Sequence, residues 1–322
     1  MADAFRWAFI GAGTLGKKVA EEISASGRHQ IVSVYTRNYE RCRQFAKQYV
    51  AFAAKTAEEA IGREDVDGVY IVTPHTSHHE YALLAMDLGK PVLCEKPVST
   101  DAKLTHEMIE KSKEKNVYFA EAMWTWFSPI ANQVKAWFDQ GEYGRLERFD
   151  LNYHLNSIHY APRVADPDLA GGALLDITVY PLTYVYRLLG KPEAISCSGV
   201  IENGIDTKEE IALTYKDGFT SHVSASIVDM DGLESLILEG EKAKTKLWFC
   251  HNAKSVKLKR KGGKNAFVRG DGGMLNEFDL VAGEIRRGLK ESEYVPQEAT
   301  LAVMEMMDEC RRQMGLVYPF EK

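Results

Sequence analysis

The tripeptide at positions 95–97, Glu-Lys-Pro, is the first group of residues in this chain that predicts chemistry. It follows the short apolar run of residues 91–94. Open α/β sheets bind ligands beyond the carboxyl ends of their strands, so a lysine at such a strand end would face a ligand. Pro97 fixes its own φ and restricts Lys96 to an extended backbone. The tripeptide therefore predicts a rigidly mounted ammonium group; the alternative is a solvated lysine at a surface strand end.

A carboxylate and a phenol, Asp176 and Tyr180, stand four residues apart after the pair Gly171-Gly172. The glycine pair fits a helix start, and this spacing places both side chains on one helix face. A phenol can exchange a proton during alcohol–carbonyl interconversion, but its free pKa is about 10, so it needs a neighbouring positive charge near neutral pH. Lys96 is the candidate for that charge. The alternative is a packed helix with Tyr180 half-buried and Asp176 capping or solvated.

A glycine-rich loop stands between an apolar run at residues 5–10 and a helical pattern of apolar residues spaced four apart. Its residues are Gly11, Ala12, Gly13, Thr14, Leu15 and Gly16. The context of strand, G-x-G-x-x-G loop and helix predicts dinucleotide binding. The first glycine allows the turn, the second lets the backbone approach a pyrophosphate, and the third packs helix against strand. The helix N-terminus would offer N–H groups to the phosphates. The alternative is a merely structural glycine turn.

The end of the second predicted strand bears on which cofactor binds. An acidic residue there would bind the ribose 2′-hydroxyl of NAD, but this chain has Thr36, Arg37 and Asn38. Thr36 and Asn38 can donate hydrogen bonds, and Arg37 can pair with a 2′-phosphate. This pattern favours NADP(H). NAD(H) is the alternative if Arg37 is only a solvated loop residue.

Thr73, Pro74 and His78 follow the fourth predicted strand and complete the expected cofactor-facing edge. Three histidines lie between positions 75 and 79, but no nearby acidic or cysteine set completes a metal site, so no metal is expected. One histidine is expected beside the nicotinamide, with the others solvated or packed.

The order of strand and helix patterns predicts two domains. Six strand signals alternate with helices in residues 1–123, which indicates a doubly wound parallel sheet of the Rossmann type. Residues 124–322 contain several consecutive strand patterns and two terminal helices, which indicates an α+β domain with an open-faced, mostly antiparallel sheet. A basic run within residues 254–264 is interpreted as a solvated edge hairpin, because lysine blocks edge pairing.

Composition excludes several classes of protein. The 322 residues carry a net charge of -6, which gives no general attraction to nucleic acid or anionic membranes. No apolar stretch has the length of a membrane span, and no signal-peptide pattern is present. The five cysteines are dispersed and odd in number, which favours reduced thiols. A cytoplasmic protein is expected.

The chain resembles the glucose–fructose oxidoreductase / inositol dehydrogenase family, Gfo/Idh/MocA, over nearly its whole length. The motifs that carry this resemblance are Gly11–Gly16, Thr73-Pro74 with His78, Gly89-Lys90, Glu95-Lys96-Pro97 and Gly171–Tyr180. It is most similar to the branch of dimeric dihydrodiol dehydrogenase and NADP-dependent D-xylose dehydrogenase. That similarity lies in Glu121–Thr125, Gly171–Asp176 and the ending Gly315–Phe320.

The resemblance implies roles for individual residues. Lys96 would contact the nicotinamide ribose and the substrate, with Glu95 beside it and Pro97 in a cis peptide bond. Asp176 would bind a substrate hydroxyl, and Tyr180 stands where most of the family has a histidine. The open sheet would form a homodimer, or a dimer of dimers. Two departures are Trp126, where arginine is expected, and Thr178, where glycine is expected; the first leaves the substrate open.

The combined expectation is an NAD(P)-dependent dehydrogenase that acts on a CH–OH group of a sugar, polyol or cyclic diol. Lys96, Asp176 and Tyr180 would be catalytic, and Trp124 and Arg163 would contact the substrate. The alternative from another class is a non-enzymatic NADP-binding sensor with the same fold. A nucleic-acid binder that uses the basic hairpin is a third possibility, and no such binding is expected.

Overall fold

The chain is described by a computed structural model that covers residues 3–159, 161–231, 233–270 and 272–321. It divides into two compact units. The first comprises Met1–Trp124 with Gly273–Thr300, and the second comprises Thr125–Gly272 with Leu301–Lys322. The sequence-based division after residue 123 gives residues 273–300 to the second domain, whereas the structure gives them to the first unit.

The first unit contains a six-stranded sheet in which each pair of neighbouring strands is parallel. Its strands are β1 (Phe5–Ile10), β2 (His29–Tyr35), β3 (Phe52–Ala53), β4 (Gly68–Ile71), β5 (Val92–Glu95) and β6 (Phe119–Ala122). The spatial order is β3-β2-β1-β4-β5-β6. Because the order reverses between β1 and β4, the carboxyl ends of these strands flank a topological switch point. The Rossmann prediction is confirmed.

Helices connect these strands, and polar caps start several of them. The helices are α1 (Thr14–Ala25), α2 (Tyr39–Tyr49), α3 (Ala57–Ile61), α4 (His78–Asp87) and α5 (Ala102–Lys115). The side chains of Asn38, Thr56 and Asp101 accept hydrogen bonds from first-turn N–H groups of α2, α3 and α5. Each cap satisfies a donor that the helix itself leaves unpaired.

The second unit contains an eight-stranded sheet with the spatial order β14-β13-β12-β11-β7-β10-β9-β8. Its elements are α6 (Pro129–Asp139), β7 (Leu146–His154), α7 (Val179–Leu189), β8 (Ala194–Glu202), β9 (Ile205–Thr214), β10 (Thr220–Ser226), β11 (Glu234–Gly240), β12 (Ala243–Trp248), β13 (Ser255–Arg260) and β14 (Ala266–Arg269). β10 and β7 are parallel, and the other pairs are antiparallel. The mostly antiparallel prediction is confirmed. The basic run lies in the edge hairpin of β13 and β14, also as predicted.

The chain ends with two further helices, α8 (Leu275–Arg286) and α9 (Gln297–Met314). The assignment of α8 to the first unit has a packing cause. Phe278 is fully buried, and its ring centroid lies 5.0 Å from that of Trp7 and 4.9 Å from that of Tyr70. Tyr70 in turn lies 5.0 Å from Phe9, so α8 contributes to an aromatic core on the parallel sheet. In the described part of the chain, no helix has the length and apolar character of a membrane span.

Candidate active site

The glycine loop follows β1 at the switch point, and two of its glycines are closely packed. Gly11 donates its N–H to the Tyr35 carbonyl at 2.8 Å and has a φ of 116°. A Cβ atom on Gly11 would lie 2.6 Å from the carbonyl oxygen of Val72, beyond the end of β4. A Cβ on Gly16 would lie 3.2 Å from Val72 Cγ1. At Gly11 the loop backbone therefore lies directly against the strand end, as only glycine permits, and Gly16 is tightly packed beside it.

The N-terminus of α1 is suited to an anion. Its N-cap residue, Gly13, provides no side-chain cap, and its first turn contains no acidic residue. A Cβ on Gly13 would meet no atom within 4 Å, so the backbone is open to approach. Thr14 and Leu15 supply N–H groups of this first turn. These uncapped donors and the helix dipole fit a phosphate group, which is the role predicted for this loop.

Thr36 and Arg37 follow β2 at the neighbouring strand end. Thr36 is half-buried, and Arg37 is exposed. The Arg37 guanidinium forms no hydrogen bond or ion pair within the described ranges, so it is available to a ligand. The Asn38 side chain already caps α2, because its Oδ1 accepts the Arg41 N–H at 2.9 Å. Arg37 is therefore the stronger candidate for a 2′-phosphate contact.

His78 joins the loops after β4 and β5. Its ring is fully buried, with Nε2 2.9 Å from the Thr73 carbonyl oxygen and Nδ1 3.0 Å from the Pro97 carbonyl oxygen. The ring thus fixes the backbone on both sides of the predicted cofactor edge at Thr73-Pro74. Thr73 Oγ1 is buried and has no hydrogen-bond partner among the described residues. An unsatisfied hydroxyl at this edge, the tight glycine loop and the uncapped helix fit a dinucleotide cofactor.

The three histidines of this segment have separate environments. His75 and His78 are buried, and His79 Nε2 lies 3.0 Å from a carboxylate oxygen of Glu107. Over the described ranges, no group of three or more His, Cys, Asp or Glu side chains is arranged to hold a metal ion.

The Glu-Lys-Pro tripeptide ends β5, and its Lys96–Pro97 peptide bond is cis, as predicted. The Glu95 carboxylate is buried, and it accepts hydrogen bonds from the Tyr70 hydroxyl and from the Lys96 N–H. Glu95 is thereby tied to the aromatic core of the sheet. Its side chain fixes the backbone from which Lys96 extends.

Glu121 is a further residue of this site, to which the sequence assigned only a place in a family motif and no role. Its buried carboxylate accepts the Val98 N–H and the Thr300 hydroxyl, both at 3.1 Å. Burial raises the pKa of Glu121 to about 7, and the nearby Lys96 charge opposes that rise. The available signal was an acidic residue inside an otherwise apolar strand. Glu121 positions the backbone two residues after Lys96.

We expect Glu121→Gln to remove a pH-dependent loss of stability. The pKa of Glu121 is about 7 in the folded protein and 4.5 in its ordinary state. Between pH 4.5 and pH 7 the unfolded chain therefore loses the Glu121 proton while the folded protein keeps it, so the free energy of unfolding falls as the pH rises. The shift corresponds to roughly 3 kcal/mol. Glutamine keeps an acceptor for the Val98 N–H and does not ionise. The unfolding free energy of the variant relative to the native chain, measured in urea across this pH window, should therefore increase by roughly this amount.

Glu110→Gln is the matched control. Glu110 is an exposed residue of α5 whose pKa is lowered by a hydrogen bond from Lys113. Its replacement should change the pH dependence little, because exposed pairs are screened. A pH dependence of unfolding that is identical in Glu121→Gln and the native chain would contradict a buried, titrating Glu121.

Asp176 and Tyr180 lie in the second unit, on consecutive helical segments rather than on one regular helix. Residues Leu174–Thr178 form a π-helical turn, and α7 begins at Val179. The predicted four-residue face is therefore altered, because a π-turn is wider than an α-turn. Arg163 Nη2 donates to Asp176 Oδ1 at 2.7 Å, so two of the predicted substrate contacts form an ion pair. Tyr180 is buried, with 6% of its surface exposed.

Two buried carboxylates on β9, Asp206 and Glu209, hold the ends of the π-turn. Asp206 Oδ2 accepts the Leu174 N–H at 2.6 Å, and Glu209 accepts the Thr178 hydroxyl. Burial raises the pKa of Asp206; burial and the Asp206 charge raise that of Glu209 well above its ordinary value. A proton held by Glu209 would let it donate a hydrogen bond to Asp206. Thr178, which departs from the family glycine, thus anchors the turn that carries Asp176.

Trp124 and Trp126 have different exposures. Trp124 is half-buried, which leaves part of its ring accessible. Trp126 is 4% exposed, and the Arg187 guanidinium lies 3.6 Å from its ring centroid. The arginine expected at position 126 is absent, and an arginine of α7 stacks on the tryptophan that replaces it.

Comparisons with known proteins match both parts of the chain to one family. Residues 5–122 match the model described as "Oxidoreductase family, NAD-binding Rossmann fold" (GFO_IDH_MocA), and residues 131–246 match the "GFO/IDH/MocA C-terminal domain". The fold is also that of a solved 3-ketoreductase, KijD10 from Actinomadura kijaniata. That likeness has a TM-score of 0.86 at 20% identity and covers 97% of this chain and 98% of that one.

Curated relatives match over the whole length. Trans-1,2-dihydrobenzene-1,2-diol dehydrogenase of Mus musculus is 31% identical, with 99% of each chain covered. The scyllo-inositol 2-dehydrogenase (NADP(+)) IolU of Bacillus subtilis is 30% identical, with 98% of this chain and 99% of the relative covered. The D-xylose 1-dehydrogenase (NADP(+)) of Hypocrea jecorina is 28% identical, with coverages of 98% and 93%. These are dehydrogenases, which favours an oxidoreductase over a non-enzymatic sensor. The chain belongs to the Gfo/Idh/MocA family of oxidoreductases.

Proposed function

We propose that this protein is an NADP(H)-dependent dehydrogenase that interconverts a CH–OH group and a carbonyl in a small sugar, polyol or cyclic diol. The observation that carries this proposal is the arrangement of Arg163, Asp176 and Tyr180 in the second unit. A carboxylate paired with a guanidinium binds hydroxyl groups, and a buried phenol can exchange the proton of one of them. The family supplies the dinucleotide context for this chemistry.

Each residue has a separate task in the proposed reaction. The bound nicotinamide would exchange a hydride with the substrate carbon. Asp176 orients the substrate by accepting a hydroxyl hydrogen bond, and Tyr180 takes or returns the proton of the reacting hydroxyl. In this proposal Lys96 would supply the positive charge that the phenolate form of Tyr180 requires. Trp124 would form an apolar wall for a ring face.

The cofactor would be held by residues of the first unit. The Gly11–Gly16 loop and the N-terminus of α1 would bind the pyrophosphate, and Thr73, Pro74, His78 and Glu95 would shape the nicotinamide edge. Thr36 and Arg37 would bind the 2′-phosphate of NADP(H). The NADP(+) specificity in the names of the xylose and inositol dehydrogenases supports this preference.

We expect Arg37→Ala to weaken NADPH binding by about 10-fold or more and to leave NADH binding nearly unchanged. The reason is the loss of a charge-assisted hydrogen bond to the 2′-phosphate, a group that NADH lacks. Fluorescence titration of the purified protein with each cofactor measures both constants. Arg41→Ala, which removes another exposed arginine of the same unit, is the control. Equal weakening of NADPH and NADH by Arg37→Ala would contradict 2′-phosphate recognition.

The function itself is tested by following the nicotinamide absorbance with NADP and a panel of substrates. The panel contains trans-1,2-dihydrobenzene-1,2-diol, D-xylose and scyllo-inositol, and a second panel of aldoses and diketones is offered with NADPH. Turnover of any member supports the dehydrogenase. NADPH binding without turnover across both panels would favour the sensor.

We also propose a homodimer, or a dimer of dimers, formed through the open sheet of the second unit. Exposed aromatic side chains on this sheet support the proposal: Trp248 is 50% exposed and Phe267 is 56% exposed. Apolar side chains of this size on a sheet surface are typical of protein interfaces. Light scattering of the purified protein measures the assembly.

The five free cysteines support a reducing, cytoplasmic location.

A further inference from the structure

Three rings are packed together around Tyr180 in the second unit. The Tyr180 ring centroid lies 5.9 Å from that of Tyr153 and 5.8 Å from that of His251. Tyr153 and His251 stack at 5.5 Å with an interplanar angle of 13°. Tyr180 and Tyr153 are buried, whereas the His251 side chain is 23% exposed. His251 is thus the more solvent-accessible ring beside a phenol that is shielded from water.

Glu234 fixes the orientation of His251. The buried Glu234 carboxylate binds His251 Nδ1 and accepts the His251 backbone N–H. It also accepts the Cys250 thiol at 3.0 Å. A carboxylate at Nδ1 holds the proton on that nitrogen, so Nε2 is the basic nitrogen of the neutral ring.

The turn that carries His251 is held from several sides. Thr125 donates its hydroxyl to the His251 carbonyl at 2.9 Å, and Tyr184 donates to the Cys250 carbonyl at 3.0 Å. Phe249, just before the turn, has a φ of 53° and is 58% exposed. A left-handed, exposed phenylalanine is a costly backbone conformation that persists only where surrounding contacts impose it. Hydrogen bonds and a strained backbone conformation at Phe249 therefore hold His251 in its position.

We propose that His251, oriented by Glu234, relays the proton between Tyr180 and solvent during catalysis. This inference rests on the proposed function, and in it His251 acts through Tyr180 without touching the substrate. In the oxidative direction, the substrate O–H bond breaks and its proton forms the O–H bond of Tyr180. The Tyr180 proton then passes to His251 Nε2, directly or through one water, and from there to bulk water. The reductive direction returns a proton by the same route.

The titratable groups around the turn that carries His251 are consistent with a relay. They are Glu234 on β11, Tyr153 on β7, Tyr180 and Tyr184 on α7, and Cys250 in the same turn, with Asp176 near Tyr153. Burial and then the Glu234 charge raise the pKa of Tyr153, and burial raises those of Tyr184 and Cys250. These three groups stay protonated near neutral pH. His251 is the member of this set whose ring has one nitrogen that can accept a proton and one that can donate it.

Two variants and a chemical rescue test the relay. His251→Ala should lower kcat by about 100-fold with unchanged NADPH affinity, and added imidazole should restore part of the rate in proportion to its neutral fraction. His251→Gln keeps a donor for Glu234 and so preserves the turn, yet it should be equally slow because glutamine does not titrate. His222→Ala, an exposed histidine of β10, is the control. Absence of imidazole rescue together with an unaltered pH–rate profile in His251→Gln would overturn the relay.

A measurement independent of turnover separates this inference from the proposed function. In protein labelled with 13C at tyrosine Cζ, the Tyr180 resonance, assigned with Tyr180→Phe, should show a pH-dependent shift that requires the imidazole of His251. His251→Gln should lose that inflection and retain its melting temperature. If no substrate is turned over but the coupled titration is present, the proposed function fails and the coupling of His251 to Tyr180 stands. If the enzyme is active but the pH dependence of the Tyr180 resonance is the same in His251→Gln and the native protein, the relay is wrong and the proposed dehydrogenase function stands.

Discussion

Replacement of Tyr180 by Phe is expected to lower kcat by about 1,000-fold while NADPH still binds, because the phenol is the proposed general acid/base. Phenylalanine keeps the ring that packs against Tyr153 and His251, so the fold should be retained. Steady-state kinetics on the substrate identified by the panel, with NADPH fluorescence titration, measures both quantities. Tyr215→Phe is the matched control, since it removes a largely buried phenol of the same unit that donates to the Gly190 carbonyl.

Lys96→Met is also expected to reduce turnover, and in addition to change the pH dependence of the rate. It should depress turnover strongly, and it should shift or erase the alkaline limb of the pH–rate profile, because Lys96 is the proposed source of the positive charge for the phenolate form of Tyr180. Lys103→Met, an exposed lysine of α5, controls for loss of charge. Unchanged turnover in both Lys96→Met and Tyr180→Phe would exclude the proposed mechanism.

Gly172→Ala is expected to destabilise the protein by about 3 kcal/mol and to abolish turnover. Gly172 has a φ of 119°, and a Cβ there would lie 2.1 Å from Asp206 Oδ1. The carboxylate cannot move away without losing its hydrogen bond to the Leu174 N–H at 2.6 Å. Displacing Asp206 would also disturb its contact with Glu209, which anchors the other end of the π-turn. Urea unfolding and steady-state kinetics measure the two effects.

Gly218→Ala separates this clash from backbone strain. Gly218 has a φ of 81° in the same unit, but a Cβ there would meet no atom within 4 Å. Its replacement should cost only the left-handed backbone penalty, about 1 kcal/mol, and should leave turnover unchanged. If Gly172→Ala behaves like Gly218→Ala, the packing of Asp206 against Gly172 does not determine the geometry of the site.

The sequence predicts those parts of the site that depend on short-range restrictions. The glycine loop is recognisable because its G-x-G-x-x-G spacing stands between a strand pattern and a helix pattern. The rigid backbone at Lys96 is recognisable because Pro97 fixes its own φ and restricts Lys96 to an extended conformation. Amphipathic periods and caps likewise predict the alternation of strands and helices in the first unit, since they act within one element.

Contacts between distant segments could not be predicted in the same way. The Asp176–Tyr180 spacing reads as a regular helix, but Asp206 and Glu209, about 30 residues later, bind the backbone and Thr178 and the segment forms a π-turn. Glu121 appears as an isolated acid until Thr300 and Val98 are brought to it. Strand order and register decide which side chains meet across a sheet, and a local sequence pattern predicts neither of them.

The sequence alone determined that this chain has a glycine loop with the G-x-G-x-x-G spacing, a lysine followed by proline and a carboxylate–phenol pair, because the identity and spacing of residues suffice for these features. Only the tertiary structure decided how they are held. It ties Glu95 to Tyr70 and Asp176 to Arg163, and it sets His251 and its partner Glu234 beside Tyr180. The physical reason is that burial and hydrogen bonding act between side chains that are close in space, whatever their separation along the chain.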